Sequence, residues 1–221
     1  KVSSTPGKQS PWLNVEGEFN EQMKKLSRTR RESLNRKRRK LLNKTNGKVE
    51  ITIGRAADLV ERLEQCWMIS SKTWKHKTGS SIASDEKLMS FYNSIACSSK
   101  DWLVLGLLYL DNKPIAFEFN LAYNECVYNL KLGYDEAYSK LSPGIVLRLC
   151  MIEWAFDNDV KRYDYMGNTE NYKTMFSTGL ISHLNLRIYN KLPSSLAKYY
   201  TKECLVPTMR SLLRPLKHTI K

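Results

Sequence analysis

The sequence has few of the residues that build metal or disulfide frameworks. Its 221 residues include five cysteines and three histidines. Cys66, Cys97, Cys126, Cys150 and Cys204 contain no C-x-x-C pair, and His76, His183 and His218 stand at no ligand spacing to a cysteine or to one another. This excludes the zinc-finger and zinc-ribbon patterns and leaves no metal site to predict. Four of the cysteines lie in apolar segments, which predicts buried, reduced thiols and a cytoplasmic setting. Long hydrophobic runs are also missing. The longest, Trp102–Leu110, has nine residues, against roughly 20 for a bilayer span. The first residue is Lys1 rather than Met, consistent with a fragment or processed chain, and no secretory pattern opens it. Hydrophobic residues make up 42% and charged residues 26%, enough apolar content for one good-sized domain or two small ones.

Acidic residues are scarce in two places. Residues 24–48 hold twelve Lys or Arg against one Glu, and residues 191–221 hold seven against one. The stretch 49–190 is near neutral, with fifteen against seventeen, so the net charge of +14 belongs to the flanks. This suggests three segments: a basic, helical N-terminal segment at 1–48, a globular body at 49–190 and a basic helical tail at 191–221. In the first, Phe19, Met23, Leu26, Leu34 and Leu41 recur every three to four residues or multiples of that, giving a narrow apolar stripe on one long helix stopped near Gly47. Its cationic remainder is open to two readings, a nucleic-acid surface or a solvated helix face that lends a cation to a phosphate ligand. There is no helix-turn-helix signature, zinc finger or aromatic RNA motif beside it.

The body reads as a strand at Val49–Ile53 and a helix over Ala56–Trp74. A loop leads to a second helix over Asp85–Ala96, capped by Ser84. Three strands follow at Trp102–Leu110, Pro114–Ala122 and Val127–Tyr134, joined by short turns into an antiparallel meander. Phe117, Phe119 and Leu121 alternate with Glu118 and Asn120, so one face is buried and the other is polar or lines a cleft. A helix at Pro143–Asp157 and a strand at Arg162–Tyr165 make a crossover, which requires strands 127–134 and 162–165 to be parallel. A short helix, Glu170–Phe176, and a strand, Leu184–Tyr189, come next. After Pro193 the tail reads as amphipathic helices broken at Pro207 and Pro215. The fold class is α/β (α+β), with a mixed sheet. A meander that turns parallel beside a helix N-terminus is where a ligand cleft tends to open.

With this order in place, the words "SPWLNV" (10–15), "LSRTRRESLNRKRRKL" (26–41), "GLLYLDNKPIAFEF" (106–119), "LGYDEAYSKLSPGIVL" (132–147) and "YDYMGNTENYKTMFSTG" (163–179) resemble the GNAT superfamily of acyl-CoA N-acyltransferases. Within it they look like the BioF2-like branch, named for cellulose-biosynthesis (CelD-like) acetyltransferases and related to the Fem peptidoglycan-bridge ligases. The resemblance implies an N-acyltransferase that moves an acyl group from acyl-CoA, such as acetyl-CoA, to an amine, in cell-envelope polysaccharide biosynthesis. Two other readings stand beside it: a Fem-like ligase using aminoacyl-tRNA, and a catalytically silent GNAT-like binding half. In this family such a segment is commonly preceded by another GNAT-like half, so a further half, or a second copy of the chain, is an expected partner.

The resemblance also implies roles for residues. Gly144 and the amides of Ile145 and Val146, with Ser142 as cap, would hold the coenzyme pyrophosphate at a helix N-terminus. The usual pyrophosphate loop has two glycines and an upstream Gln or Arg, where this chain has only Ser-Pro-Gly. The plainer reading is a Ser-Pro helix start with a glycine kept for close packing. Glu118 and Asp164 are candidates for the base, against an ordinary strand carboxylate and a carboxylate ordering the Gly167 turn. Tyr172 is placed as the general acid and Lys173 as the group polarising the thioester oxygen, or else a surface lysine. Tyr134 and Asp135 would line the acceptor pocket.

Overall fold

The computed structural model describes residues 1–43, 46–54 and 56–206; the helices expected beyond Pro207 lie outside the described residues. Seven strands form one mixed sheet: β1 (Val2–Asn14), β2 (Gly47–Ile53), β3 (Leu103–Leu110), β4 (Lys113–Tyr123), β5 (Cys126–Tyr134), β6 (Arg162–Asp164) and β7 (Gly179–Ile188). Their order is β2-β3-β4-β5-β6-β1-β7. The meander β3-β4-β5 is antiparallel and β5 pairs parallel with β6, as the crossover requires. By contacts the chain divides into two bodies, residues 10–180 and residues 1–9 with 181 onward.

In the larger body both faces of the central strands are buried. Leu105, Leu107, Phe117 and Phe119 face helix α3 (Leu59–Ser71), which contributes Leu59, Leu63, Cys66, Trp67 and Ile69. The opposite face, with Val104, Leu108, Ala116 and Val127, packs under α6 (Pro143–Phe156). Each fully buried Leu or Phe contributes about 1.5–3 kcal/mol of hydrophobic stabilisation. The alternation expected in β4 is present, but its polar face is not open. Glu118 and Asn120 are fully buried beneath α6.

Several elements differ from the sequence reading. Residues 2–14, grouped there with a helical segment, are a strand, and their last residues, Trp12–Asn14, pair antiparallel with Arg162–Asp164. The single basic helix is three pieces: α1 (Phe19–Lys24), α2 (Arg28–Arg38) and one π-helical turn at Arg39–Asn43. The break falls where the Ser27 hydroxyl accepts from the Arg30 amide and restarts the helix. The apolar stripe survives the break: Phe19, Met23, Leu34 and Leu41 are buried. The helix expected over 56–74 runs only from Leu59 to Ser71, because Thr73 is extended and separates it from α4 (Trp74–Lys77). Helix α5 (Glu86–Ser98) is capped by Asp85, not Ser84. The Asp85 carboxylate accepts from the Lys87 and Leu88 amides at 2.9 and 3.2 Å. The five cysteines form no disulfide; three are buried, while Cys97 and Cys204 are exposed.

In the smaller body the Lys1 amino group donates to the Tyr189 carbonyl at 2.8 Å. Glu203, in the π-helical turn after α8 (Pro193–Tyr199), accepts from Ser3, Arg187 and Tyr189.

Candidate active site

The site arises where the parallel pair comes apart. β5 and β6 are paired only over Cys126–Tyr128 and Arg162–Asp164. Beyond that, the Tyr165 amide donates to the Pro11 carbonyl, following β1, while β5 continues to Tyr134 paired with β4 only. A register shift between β4 and β5 at Phe119/Asn120 adds to the divergence. The chain leaves β5 through a 3-10 turn, Glu136–Leu141, whose start is capped by the Asp135 carboxylate. Ser142 then adopts a left-handed backbone (φ 55°), and α6 begins at Pro143, whose fixed φ suits a first helical position.

A cavity of about 240 Å³ fills the resulting gap. Leu132, Gly133 and Tyr134 of β5 form one wall, and Gly144, Ile145 and Arg148 of α6 a second. Thr73, Trp74 and Lys75 approach from α4 and the residue before it. Tyr172 and Phe176 close it from α7 (Asn171–Thr174) and the turn after, with Glu170 just before. Four of the expected site residues therefore meet here: Tyr134, Gly144, Ile145 and Tyr172.

The other six do not line it. Glu118 is fully buried in an ion pair with the Arg148 Nε and accepts from the Tyr163 hydroxyl at 2.8 Å, so it faces the underside of α6 rather than a cleft. Asp164 accepts from the Met166 amide at 2.9 Å and from Arg162 at 3.3 Å, and so orders the Met166–Gly167 turn. Lys173 is not a surface lysine: the residue is buried, and its Nζ donates to the Met166 carbonyl at 3.0 Å and pairs with Glu170 at 2.9 Å. Asp135 caps the 3-10 turn and lies 3.6 Å from the Lys72 Nζ. Ser142 makes no side-chain cap. Its carbonyl instead accepts from the Ile145 and Val146 amides at 3.1 and 3.2 Å, the two donors expected for a pyrophosphate. Pro143 has no N–H, so the Gly144 amide is the donor left in the first turn. Gly144 also has a packing reason: a Cβ there would lie 3.1 Å from the Tyr134 ring.

Sequence reading missed Arg148 and Lys75. Arg148 is 1% exposed. Its Nε binds Glu118, its Nη2 donates to Asn129 Oδ1 at 2.8 Å, and Asn129 donates on to Asn120 at 2.7 Å. Burial works against its charge, but Glu118 beside it holds the guanidinium firmly protonated. Lys75 is half-buried, and burial, aided by Lys131, depresses its pKa. Burial also raises the Tyr172 hydroxyl, and its hydrogen bond to Glu170 adds to this, so it stays a proton donor at neutral pH. Burial raises the thiols of Cys66 and Cys150, the latter to about 11, which makes both poor nucleophiles. Among the described residues no group of His, Cys, Asp and Glu gathers as for a metal, and no helix is long and apolar enough to cross a membrane.

A family model described as an acetyltransferase (GNAT) domain matches residues 28–174. Among solved structures, the C-terminal domain (DUF2156) of a chain described as a lysylphosphatidylglycerol synthetase from Agrobacterium fabrum superposes with a TM-score of 0.59. It is 12% identical, over 89% of this chain and 64% of that one. A conserved protein of unknown function from Bacteroides thetaiotaomicron gives 0.54 at 13% identity, over 84% and 62%. FemX gives 0.51 at 10% identity, over 81% and 60%. This chain thus spans about three-fifths of the length of each. No curated protein sequence matches it. With the family model covering two-thirds of its length and the meander, crossover helix and parted parallel strands in place, the chain belongs to the GNAT acetyltransferase family.

Proposed function

We propose that the protein transfers an acyl group from acyl-CoA to an amine, as in the BioF2-like branch, with an amino sugar or nucleotide sugar of envelope polysaccharide as acceptor. The observation that carries this is the cavity in the gap between β5 and β6, where an apolar wall, a protonated phenol and a lysine of lowered pKa meet. Leu132, Ile145 and Phe176 suit an acyl chain and exclude water from the thioester. The neutral form of Lys75 takes the proton that the amine nitrogen sheds as it attacks, and Tyr172, oriented by Glu170, gives one to the leaving thiolate. The amine nitrogen bonds to the carbonyl carbon, the carbon–sulfur bond breaks, and the products are an amide and a free thiol. Gly144 supplies the one first-turn amide open to the pyrophosphate.

Release of coenzyme A thiol from acetyl-CoA and longer acyl-CoAs, against a panel of amino sugars, tests the reading. Amine-dependent release is expected; none with any donor would contradict it. A second reading, transfer from aminoacyl-tRNA, is favoured by the engagement of the Ile145 and Val146 amides within the chain, which weakens a coenzyme cradle. The cationic α2 would then meet RNA. Tight tRNA binding that weakens steeply with salt, without thiol release from acyl-CoA, would select it.

A further inference from the structure

Among the described residues four buried side-chain nitrogen or oxygen atoms have no hydrogen-bond partner: Asn120 Nδ2, Arg148 Nη1, Tyr165 Oη and Arg162 Nε. The first three belong to one network under α6. The Arg148 guanidinium lies 4.9 Å from the Tyr165 ring centroid and is joined through Asn129 to Asn120. An unmet donor this deep is costly, by about 1–3 kcal/mol for a neutral group and more for a charged one, so a fold tolerates it best where a ligand completes it. Arg148 is also the one member of this network that lines the cavity.

The guanidinium is held on two sides, by Glu118 at Nε and by Asn129 at Nη2. Glu118 in turn is held by Tyr163, so the whole arrangement is fixed before any substrate arrives. This leaves both Nη1 hydrogens without an acceptor. Their electrostatic partner is constrained as well. Glu118, fully buried, already balances the Arg148 charge, so a second full anion would add an uncompensated charge to an apolar cavity. A neutral carbonyl oxygen, which gains negative charge only as the tetrahedral state forms, meets both conditions. Arg148 and Tyr172 both line the cavity, and the charges of Arg148 and Glu118 are felt at the phenol.

We propose that Arg148 Nη1 binds the carbonyl oxygen of the acyl group and stabilises the oxyanion formed there, the part the resemblance assigned to Lys173. This rests on the acyl-transfer reading above. As the amine nitrogen bonds to the carbonyl carbon, the π electron pair moves to the oxygen beside Nη1. It returns when the carbon–sulfur bond breaks and the thiolate is protonated by Tyr172. Glu118 is then a positioning residue rather than a base.

The test uses acetyl-CoA labelled with ¹³C at the thioester carbonyl. Isotope-edited infrared spectra of the wild-type complex should show the carbonyl band moved to lower frequency relative to free acetyl-CoA. Arg148→Lys, which keeps the charge but loses the fork, should lower kcat about 10²–10³-fold while the dissociation constant for acetyl-CoA stays within about threefold. Circular dichroism and the melting temperature establish whether this variant folds; if it does not, the wild-type infrared band alone decides. Bound acetyl-CoA with an unshifted carbonyl, or a folded Arg148→Lys with kcat within about threefold of wild type, overturns the assignment and leaves the acyltransferase reading standing. Failure of the wild type to bind any acyl-CoA overturns that reading and this assignment together.

Discussion

At the scale of residues, the chemistry of the cavity turns on groups whose environments move them from their ordinary behaviour. Burial, with Lys131 adding to it, favours the neutral form of Lys75. In the proposed reaction the neutral lysine is the base, so kcat/KM should rise with pH through an apparent pKa below the usual lysine value. Lys75→Met should remove that limb, whereas an unchanged profile in this variant would rule Lys75 out. Gly133 backs the cavity wall, and a Cβ there would stand 2.5 Å from Phe117 Cε1. The Phe117 ring is buried and has no room to swing away, so Gly133→Ala should destabilise the fold by about 1–3 kcal/mol in urea titration. Tyr134, Gly144, Ile145 and Tyr172 were legible because they sit in short motifs beside a recognisable sheet junction. Arg148 carried a weaker signal, a single charge inside the apolar run "GIVLRLCMI". Such a charge must be paired if buried, but its partner Glu118 lies thirty residues away on β4. Only the packing of α6 across β4 joins them.

At the scale of elements, amphipathic and alternating patterns gave the right types, and local capping decided the ends. Asp85 rather than Ser84 caps α5, because its carboxylate reaches two amides. Asp85→Ala should therefore lower stability by about 0.5–2 kcal/mol, and Ser84→Ala by clearly less. Equal losses by thermal denaturation would place the cap elsewhere. The break between α1 and α2 was hidden because the apolar stripe runs through it unchanged; the serine that restarts the helix looks like any polar surface residue. Strand β1 left no pattern at all. Pro6, Gly7 and Pro11 interrupt it, and its pairing partner β6 is some 150 residues away along the chain. Long-range pairing of a strand with so little apolar content cannot be read from periodicity. The polar face of β4 was seen as an alternation, but whether a helix covers it is a question of topology. The cover turns Glu118 from a cleft carboxylate into a buried counter-ion.

At the scale of the whole molecule, the mixed sheet follows from one constraint. Strand, helix and parallel strand must cross over with the same hand, and this places the N-terminus of α6 over the gap where β5 and β6 part. That gap was predictable from element order. What fills it, and which first-turn amides remain available, depends on the left-handed Ser142 and its carbonyl, which no motif reveals. The central claim is that the gap receives the acyl end of a coenzyme A thioester. Calorimetric titration of acetyl-CoA and longer acyl-CoAs into the wild-type protein and into Ile145→Trp, which fills the cavity from the first turn of α6, tests it most directly. Saturable one-site binding to the wild type, lost in Ile145→Trp, is the result expected. No saturable binding of any acyl-CoA up to about 1 mM, or binding unaffected by the tryptophan, would contradict it.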